Sequence, residues 1–132
     1  MPHAATALKI FLADDSELIR TRVAAMLGAP SMIVVGQAAT AQASIDGILR
    51  SRPDVVVLDA QLQEGTGLDV LRAVLGRERD IAFVVFSHNS TPPYRKRYLE
   101  AGAVAFLDKS TQFDQLAQAV ADAPRRAHAA RA

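Results

Sequence analysis

Apolar positions in this chain alternate between two rhythms. Near-continuous short runs occur at Leu8-Lys9-Ile10-Phe11-Leu12-Ala13, Met32-Ile33-Val34-Val35, Val55-Val56-Val57-Leu58, Ile81-Ala82-Phe83-Val84-Val85-Phe86 and Val104-Ala105-Phe106-Leu107. Between them, apolar residues recur at helical spacing: Leu18, Ile19, Val23, Met26 and Leu27, then Ala41, Ile45, Ile48 and Leu49, then Leu68, Leu71, Val74 and Leu75. Pro92-Pro93 opens a charged helix carrying Arg95, Lys96, Arg97 and Glu100, which stops at Gly102. A last helix bears Phe113, Leu116, Ala117 and Val120.

Local punctuation supports these boundaries. Gly28 and Pro30 stop the first helix, and Thr40 can cap the second, which ends before Pro53. Thr66-Gly67-Leu68-Asp69 and Thr111-Gln112-Phe113-Asp114 both have the spacing of a capping box. Pro124 is expected to end the last helix, leaving residues 125–132 as a frayed, disordered tail beyond a single domain over residues 1–124.

Five strand–helix units with near-continuous apolar strands predict an α/β fold. Its core would be a doubly wound parallel sheet buried on both faces. Right-handed crossovers would give an open sheet, which binds ligands beyond the carboxyl ends of its strands, where strand order reverses. At 132 residues, with hydrophobic residues at 50% and charged ones at 22%, the chain can bury one full core. The net charge of +1 gives no global signature for nucleic acid or membrane. With no cysteine there are no disulfides and no thiolate metal sites, which fits a reducing compartment. No apolar run reaches the roughly 20 residues a membrane span needs, so a cytoplasmic location is expected.

The strand ends carry the chemistry. The first run leads into Asp14-Asp15, the third into Asp59, the fourth into Ser87, and the fifth through Asp108 to Lys109. In a parallel sheet these converge at one edge. Three carboxylates crowd together comfortably only around a cation, for which Mg²⁺ is the natural choice. A hydroxyl and an ammonium beside them suit phosphoryl oxygens. Plainer roles are open to each. Asp14 or Asp15 could cap the first helix, Ser87 could be an ordinary strand terminus, and Lys109 a solvated turn residue. Asp108 is expected to face solvent.

Taken in order, these residues resemble the receiver domain of two-component response regulators. The match runs over about residues 7–123 and rests on Asp14-Asp15, Asp59 with Gly67, Ser87, and Lys109 after a strand containing Phe106. The resemblance implies a flavodoxin-like fold of five strands in the order 2-1-3-4-5 with five helices. It implies that Asp59 accepts a phosphoryl group from a histidine kinase or phosphotransfer protein. Asp15, Asp59 and the Gln61 carbonyl would ligate Mg²⁺, with Asp14 acting through water. Lys109 and Ser87 would hold phosphoryl oxygens, the latter once Asp59 is phosphorylated. Phe106 would turn inward as a switch aromatic, although it could equally be a plain core residue.

Three positions depart from the family pattern. His88 follows Ser87 where a small residue is usual, which could narrow access. Ser110 follows Lys109 where many members have Pro, so a trans bond is expected there. Gln63 replaces a common Pro, which should leave the acceptor loop less rigid.

The expected function is a stand-alone receiver that switches protein contacts without being an enzyme in its own right. It would pass its signal to a downstream protein target. Such contacts, including a homodimer, would use the last two strand–helix units. The first helix would receive the phosphodonor. The alternatives are the receiver portion of a DNA-binding regulator and an aspartyl-phosphate-forming phosphatase. Only eight residues follow Pro124, too few for a helix-turn-helix, so nucleic acid is not an expected partner. The phosphatase family places its acids as Asp-x-Asp on the first strand, which this chain does not.

Overall fold

The computed structural model describes residues 7–28 and 30–131. Its elements follow the two rhythms of the sequence. They are β1 (Leu8–Ala13), α1 (Glu17–Met26), β2 (Met32–Ala38), α2 (Ala41–Ser51) and β3 (Val55–Leu58). A short hairpin, β4 (Gln61–Leu62) and β5 (Gly65–Thr66), precedes α3 (Gly67–Leu75). Then come β6 (Ala82–Ser87), α4 (Pro92–Glu100), β7 (Ala105–Asp108), a 3₁₀ turn (Phe113–Gln115) and α5 (Leu116–Arg131).

The five long strands form one parallel sheet in the order β2-β1-β3-β6-β7. Counting long strands alone, this is the expected 2-1-3-4-5 order. The four strands other than the edge strand β2 are largely buried on both faces because their residues alternate between two apolar layers, whereas β2 has no fully buried residue. Phe11, Val56, Leu58, Phe83, Val85 and Phe106 face the layer shared with α2, α3 and α4. Ile10, Leu12, Val57, Val84, Phe86 and Leu107 face the layer completed by Val23, Leu116, Val120 and Ala127 of α1 and α5. Among the described residues, no helix is long and apolar enough to cross a membrane.

Two caps form as expected. Thr40 accepts from the Ala43 amide, and Thr66 and Asp69 make a reciprocal capping box at the start of α3. The second proposed box does not form. Asp108 Oδ1 takes the Ser110 and Thr111 amides instead, while the Gln112 side chain accepts from the Asp108 amide. The 3₁₀ turn replaces the missing cap.

The expected stop at Pro124 is corrected. α5 runs through Pro124 to Arg131, so the segment expected to fray is helical that far, and Ala132 lies outside the described residues. Pro124 removes one helical donor, but Ala123 and Ala127 on either side of it are buried against the sheet, at 0% and 2% exposure. Tertiary packing overrides the local breaker.

Candidate functional site

β1 and β3 lie side by side where the strand order reverses, and their carboxyl ends deliver Asp14, Asp15 and Asp59 to one spot. One carboxylate oxygen from each lies within 4.8 Å of those of the other two. Asp14 and Asp59 are buried, whereas Asp15 is exposed. Apolar strands and packed helices leave the two inner carboxylates little water, so they need partners.

The principal partner is Lys109, itself buried and supplied by the turn after β7. Its Nζ lies 2.7 Å from Asp14 Oδ2 and 3.1 Å from Asp59 Oδ2. One ammonium thus serves two carboxylates, which leaves the cluster short of positive charge. Burial, reinforced by the negative charge of Asp14, pushes the Asp59 carboxyl up to about 6 against the pull of Lys109. An excess of buried acid over base is what a divalent cation can relieve, so the donor set fits a hard cation with oxygen ligands.

Backbone groups fix the carboxylates. The Gln61 amide donates to Asp59 Oδ1 at 3.1 Å, and the Ser16 amide to Asp14 Oδ1 at 2.9 Å. Arg20 donates to the Asp14 carbonyl. Ser16, not either aspartate, caps α1, taking the Ile19 amide on its Oγ. The capping role weighed for Asp14 and Asp15 therefore falls to their neighbour.

Gly67 explains how α3 can start so close to the acceptor loop. A Cβ there would lie 2.4 Å from the Asp59 carbonyl oxygen and 3.0 Å from Ala60 Cα. The Gly67 amide donates to the Ala60 carbonyl at 2.8 Å. Gln63, expected to loosen this loop, ties it down. Its amide donates to the Ala39 carbonyl, and its own carbonyl accepts from Ala41. A proline at that position would lack the first of these bonds.

The remaining site residues lie around a crevice of about 420 Å³, lined among others by Asp15, Asp59, Gln61, Ser87, His88 and Lys109, with Leu18 of α1 on its wall. Ser87 is buried, its Oγ accepting from the Asn89 amide at 3.1 Å and its carbonyl accepting from the Lys109 amide at 2.9 Å. His88 is exposed at the mouth. Leu18, read from its spacing as part of the buried face of α1, is 68% exposed instead.

Asp108 does not simply face solvent. It is half-buried and accepts from Ser90 Oγ at 2.6 Å as well as from the two turn amides. The Ser90 bond, then the Ser110 amide, holds its carboxyl below the usual range. It organises the turn that aims Lys109. Ser110 adopts this turn with no cis peptide among the described residues.

Phe106 is turned inward and 3% exposed. It packs edge-on to Tyr94 and Tyr98 of α4, at 6.2 and 5.9 Å between ring centroids, with the Arg95 guanidinium 5.2 Å from its own centroid. The sequence reading missed Tyr98. Its hydroxyl joins the start of α3 and the acceptor loop by bonds spanning 30 and 38 residues, which no local spacing could reveal.

Residues 10–121 match the family model for the response regulator receiver domain. The chain belongs to that family: it is a receiver domain of the two-component response regulators. It is 33% identical over 116 residues to the DNA-binding transcriptional activator DevR/DosR of Mycobacterium tuberculosis, across 87% of this chain and 54% of that protein. It is 31% identical to the response regulator GacA of Pseudomonas syringae pv. syringae, across 86% of this chain and 53% of that one. The chain thus spans about half the length of the curated relatives it matches. Among solved structures, the signal receiver domain of NarL from Mycobacterium tuberculosis superimposes with a TM-score of 0.85 at 28% identity, over 91% of this chain and 98% of that one. The BeF3-activated N-terminal receiver domain of Klebsiella pneumoniae RstA does so with a TM-score of 0.80 at 26% identity, over 89% and 98%.

Proposed function

We propose that Asp59 is a phosphoryl acceptor and that its phosphorylation switches the protein contacts of this receiver. The observation that carries the reading is the buried Asp59 carboxylate, set among two further acids and 3.1 Å from a buried lysine. An Asp59 oxygen attacks the phosphorus of a phosphohistidine. A P–O bond forms as the P–N bond breaks, and the imidazole nitrogen leaves with the electron pair and takes up a proton.

Asp15, Asp59 and the Gln61 carbonyl would hold Mg²⁺ directly, with Asp14 acting through water. When bound, the ion neutralises charge on the transferring group. The Gln61 amide keeps the Asp59 carboxylate oriented toward the crevice. Lys109, already on Asp59 Oδ2, has only to follow the new phosphoryl oxygens. The Ser87 hydroxyl proton is free to turn toward another of those oxygens, because Oγ serves its own loop as an acceptor.

The phosphodonor, a histidine kinase or phosphotransfer protein, docks against α1, where exposed Leu18 borders the crevice. The output face, homodimer contacts included, lies on the β6–α4 and β7–α5 units, which carry Ser87 and Phe106. Incubation with acetyl phosphate tests the acceptor: one phosphoryl mass should be gained with Mg²⁺ and none without it. Equal labelling of Asp59→Asn would sink the assignment.

A second reading, the receiver portion of a DNA-binding regulator, is favoured by one observation. The relatives, among them a DNA-binding activator, are about twice as long as the match. The intact mass of the protein from its native cells tests it. A mass of 14.1 kDa supports the stand-alone receiver, and about twice that supports the regulator.

A further inference from the structure

The geometry points to Tyr98 as a positioning residue: its hydroxyl couples the peptide that orients Asp59 to the aromatic cluster around Phe106. This inference rests on Asp59 being the acceptor, and deepens that reading by naming a route of transmission.

The coupling runs through a single peptide group. The Ala60–Gln61 peptide directs its N–H at Asp59 Oδ1, 3.1 Å away. The carbonyl at its other end accepts from the Gly67 amide at 2.8 Å and from the Tyr98 hydroxyl at 3.3 Å. Rotation of this peptide would disturb both ends at once. The Tyr98 oxygen also accepts from the Leu68 amide at 3.1 Å. That amide belongs to the first turn of α3 and has no helical partner of its own. One buried hydroxyl, on a residue only 2% exposed, therefore joins α4, the acceptor loop and the start of α3. Burial pushes the Tyr98 hydroxyl well above its ordinary range, so it remains a donor at any physiological pH.

The other end of Tyr98 is apolar. Its ring packs against Phe106 at 5.9 Å and Tyr94 at 5.4 Å, and the Tyr94 ring reaches Phe106 at 6.2 Å. Arg95 of the same helix donates to the Phe106 carbonyl at 2.9 Å. A shift of the Asp59 loop that moves the Ala60 carbonyl must move or release the hydroxyl of Tyr98. A shift of α4 that moves Tyr98 must repack Phe106. Both sites thus bias one physical element, which is what coupling between them requires.

Tyr98→Phe keeps the ring and removes the hydroxyl. The test compares this variant with the unaltered chain by amide chemical shifts, with and without Mg²⁺ and beryllofluoride as the phosphoryl probe. In the unaltered chain, amides at Asp59–Gln61 and at Tyr94–Phe106 should both respond, and the Leu68 amide should exchange slowly with solvent. In Tyr98→Phe the Asp59–Gln61 response should persist, with probe affinity changed by no more than about fivefold, the factor one net hydrogen bond is worth. The Tyr94–Phe106 response should fall by at least half.

Val120→Ala on the opposite face of the sheet provides a stability control. It should lower the melting temperature and leave both responses intact. A full Tyr94–Phe106 response in Tyr98→Phe would overturn the coupling while leaving the acceptor assignment standing. Fast exchange at Leu68 in the unaltered chain would overturn it too, without any variant. No response at Asp59–Gln61 in the unaltered chain would remove the acceptor reading and this inference together.

Discussion

Replacing Asp59 by Asn should stabilise the metal-free protein at neutral pH, even though it deletes an ion pair. The carboxyl is 6% exposed, shares Lys109 with Asp14, and is lifted from 3.8 to about 6, chiefly by burial. Well below pH 3.8 it is neutral in both folded and unfolded chains, and its contribution to stability is fully present. As pH rises toward 6 the unfolded chain gives up its proton first, so stability is progressively lost, and the loss levels off above the folded value. At about 1.4 kcal/mol per tenfold change in proton affinity, the interval sets an upper limit of roughly 3 kcal/mol. The crevice admits solvent and Lys109 can relax toward Asp14, which reduces this to about 1–2 kcal/mol.

The assay is urea denaturation of both proteins from pH 4 to pH 8 in chelator. The stability difference, variant minus wild type, should be small near pH 4, grow through pH 5 and 6, and become constant above about pH 7. Groups away from the site are common to both chains and cancel in the difference. Adding Mg²⁺ should then close the gap by stabilising the wild type through binding. A gap that did not vary with pH, or a variant less stable at pH 7.5 without metal, would refute the reasoning.

Three further outcomes follow from the site. Asp15→Ala should weaken Mg²⁺ binding strongly and Asp14→Ala less so, since Asp14 is held by Lys109 and the Ser16 amide; isothermal titration reads both. Gly67→Ala should destabilise the fold by about 2–3 kcal/mol and depress acetyl-phosphate labelling, because its Cβ meets the Asp59 backbone at 2.4 Å; a melting temperature within about 1 °C of wild type would contradict this. Asp108→Asn should lower stability at pH 7 by weakening its bonds to Ser90, Ser110 and Thr111, and the deficit should shrink as pH falls below 3.8, since the carboxyl is held below that value in the folded state; a deficit unchanged at low pH would assign the loss to shape alone.

What the sequence disclosed was what short-range chemistry encodes. Alternation of apolar runs with helical spacing marked the five strands, and Thr40 and Thr66 marked their helices because a cap acts over three residues. Asp14, Asp15, Asp59 and Lys109 were legible because a parallel sheet brings the ends of its strands to one edge. Long-range choices were not legible. Thr111 and Asp114 have the same spacing as Thr66 and Asp69, yet the turn amides go to Asp108, which β7 happens to leave within reach. Pro124 signals a stop, but burial of Ala127 carries α5 past it. Leu18 shares the periodicity of a buried face yet is exposed on the wall of the site crevice. Gln63 and Tyr98 act by pairing with distant backbone groups, Ala39 for the first and Ala60 and Leu68 for the second. Such partners are set by the fold and leave no mark in local sequence.

The most direct test of Asp59 as the phosphoryl acceptor is peptide-resolved mass spectrometry after incubation with a phosphodonor and Mg²⁺, with borohydride used to trap the acyl phosphate. Reduction should mark the peptide containing Asp59, and the mark should vanish with chelator or with Asp59→Asn. A mark on another residue, or labelling that survives either treatment, would contradict it.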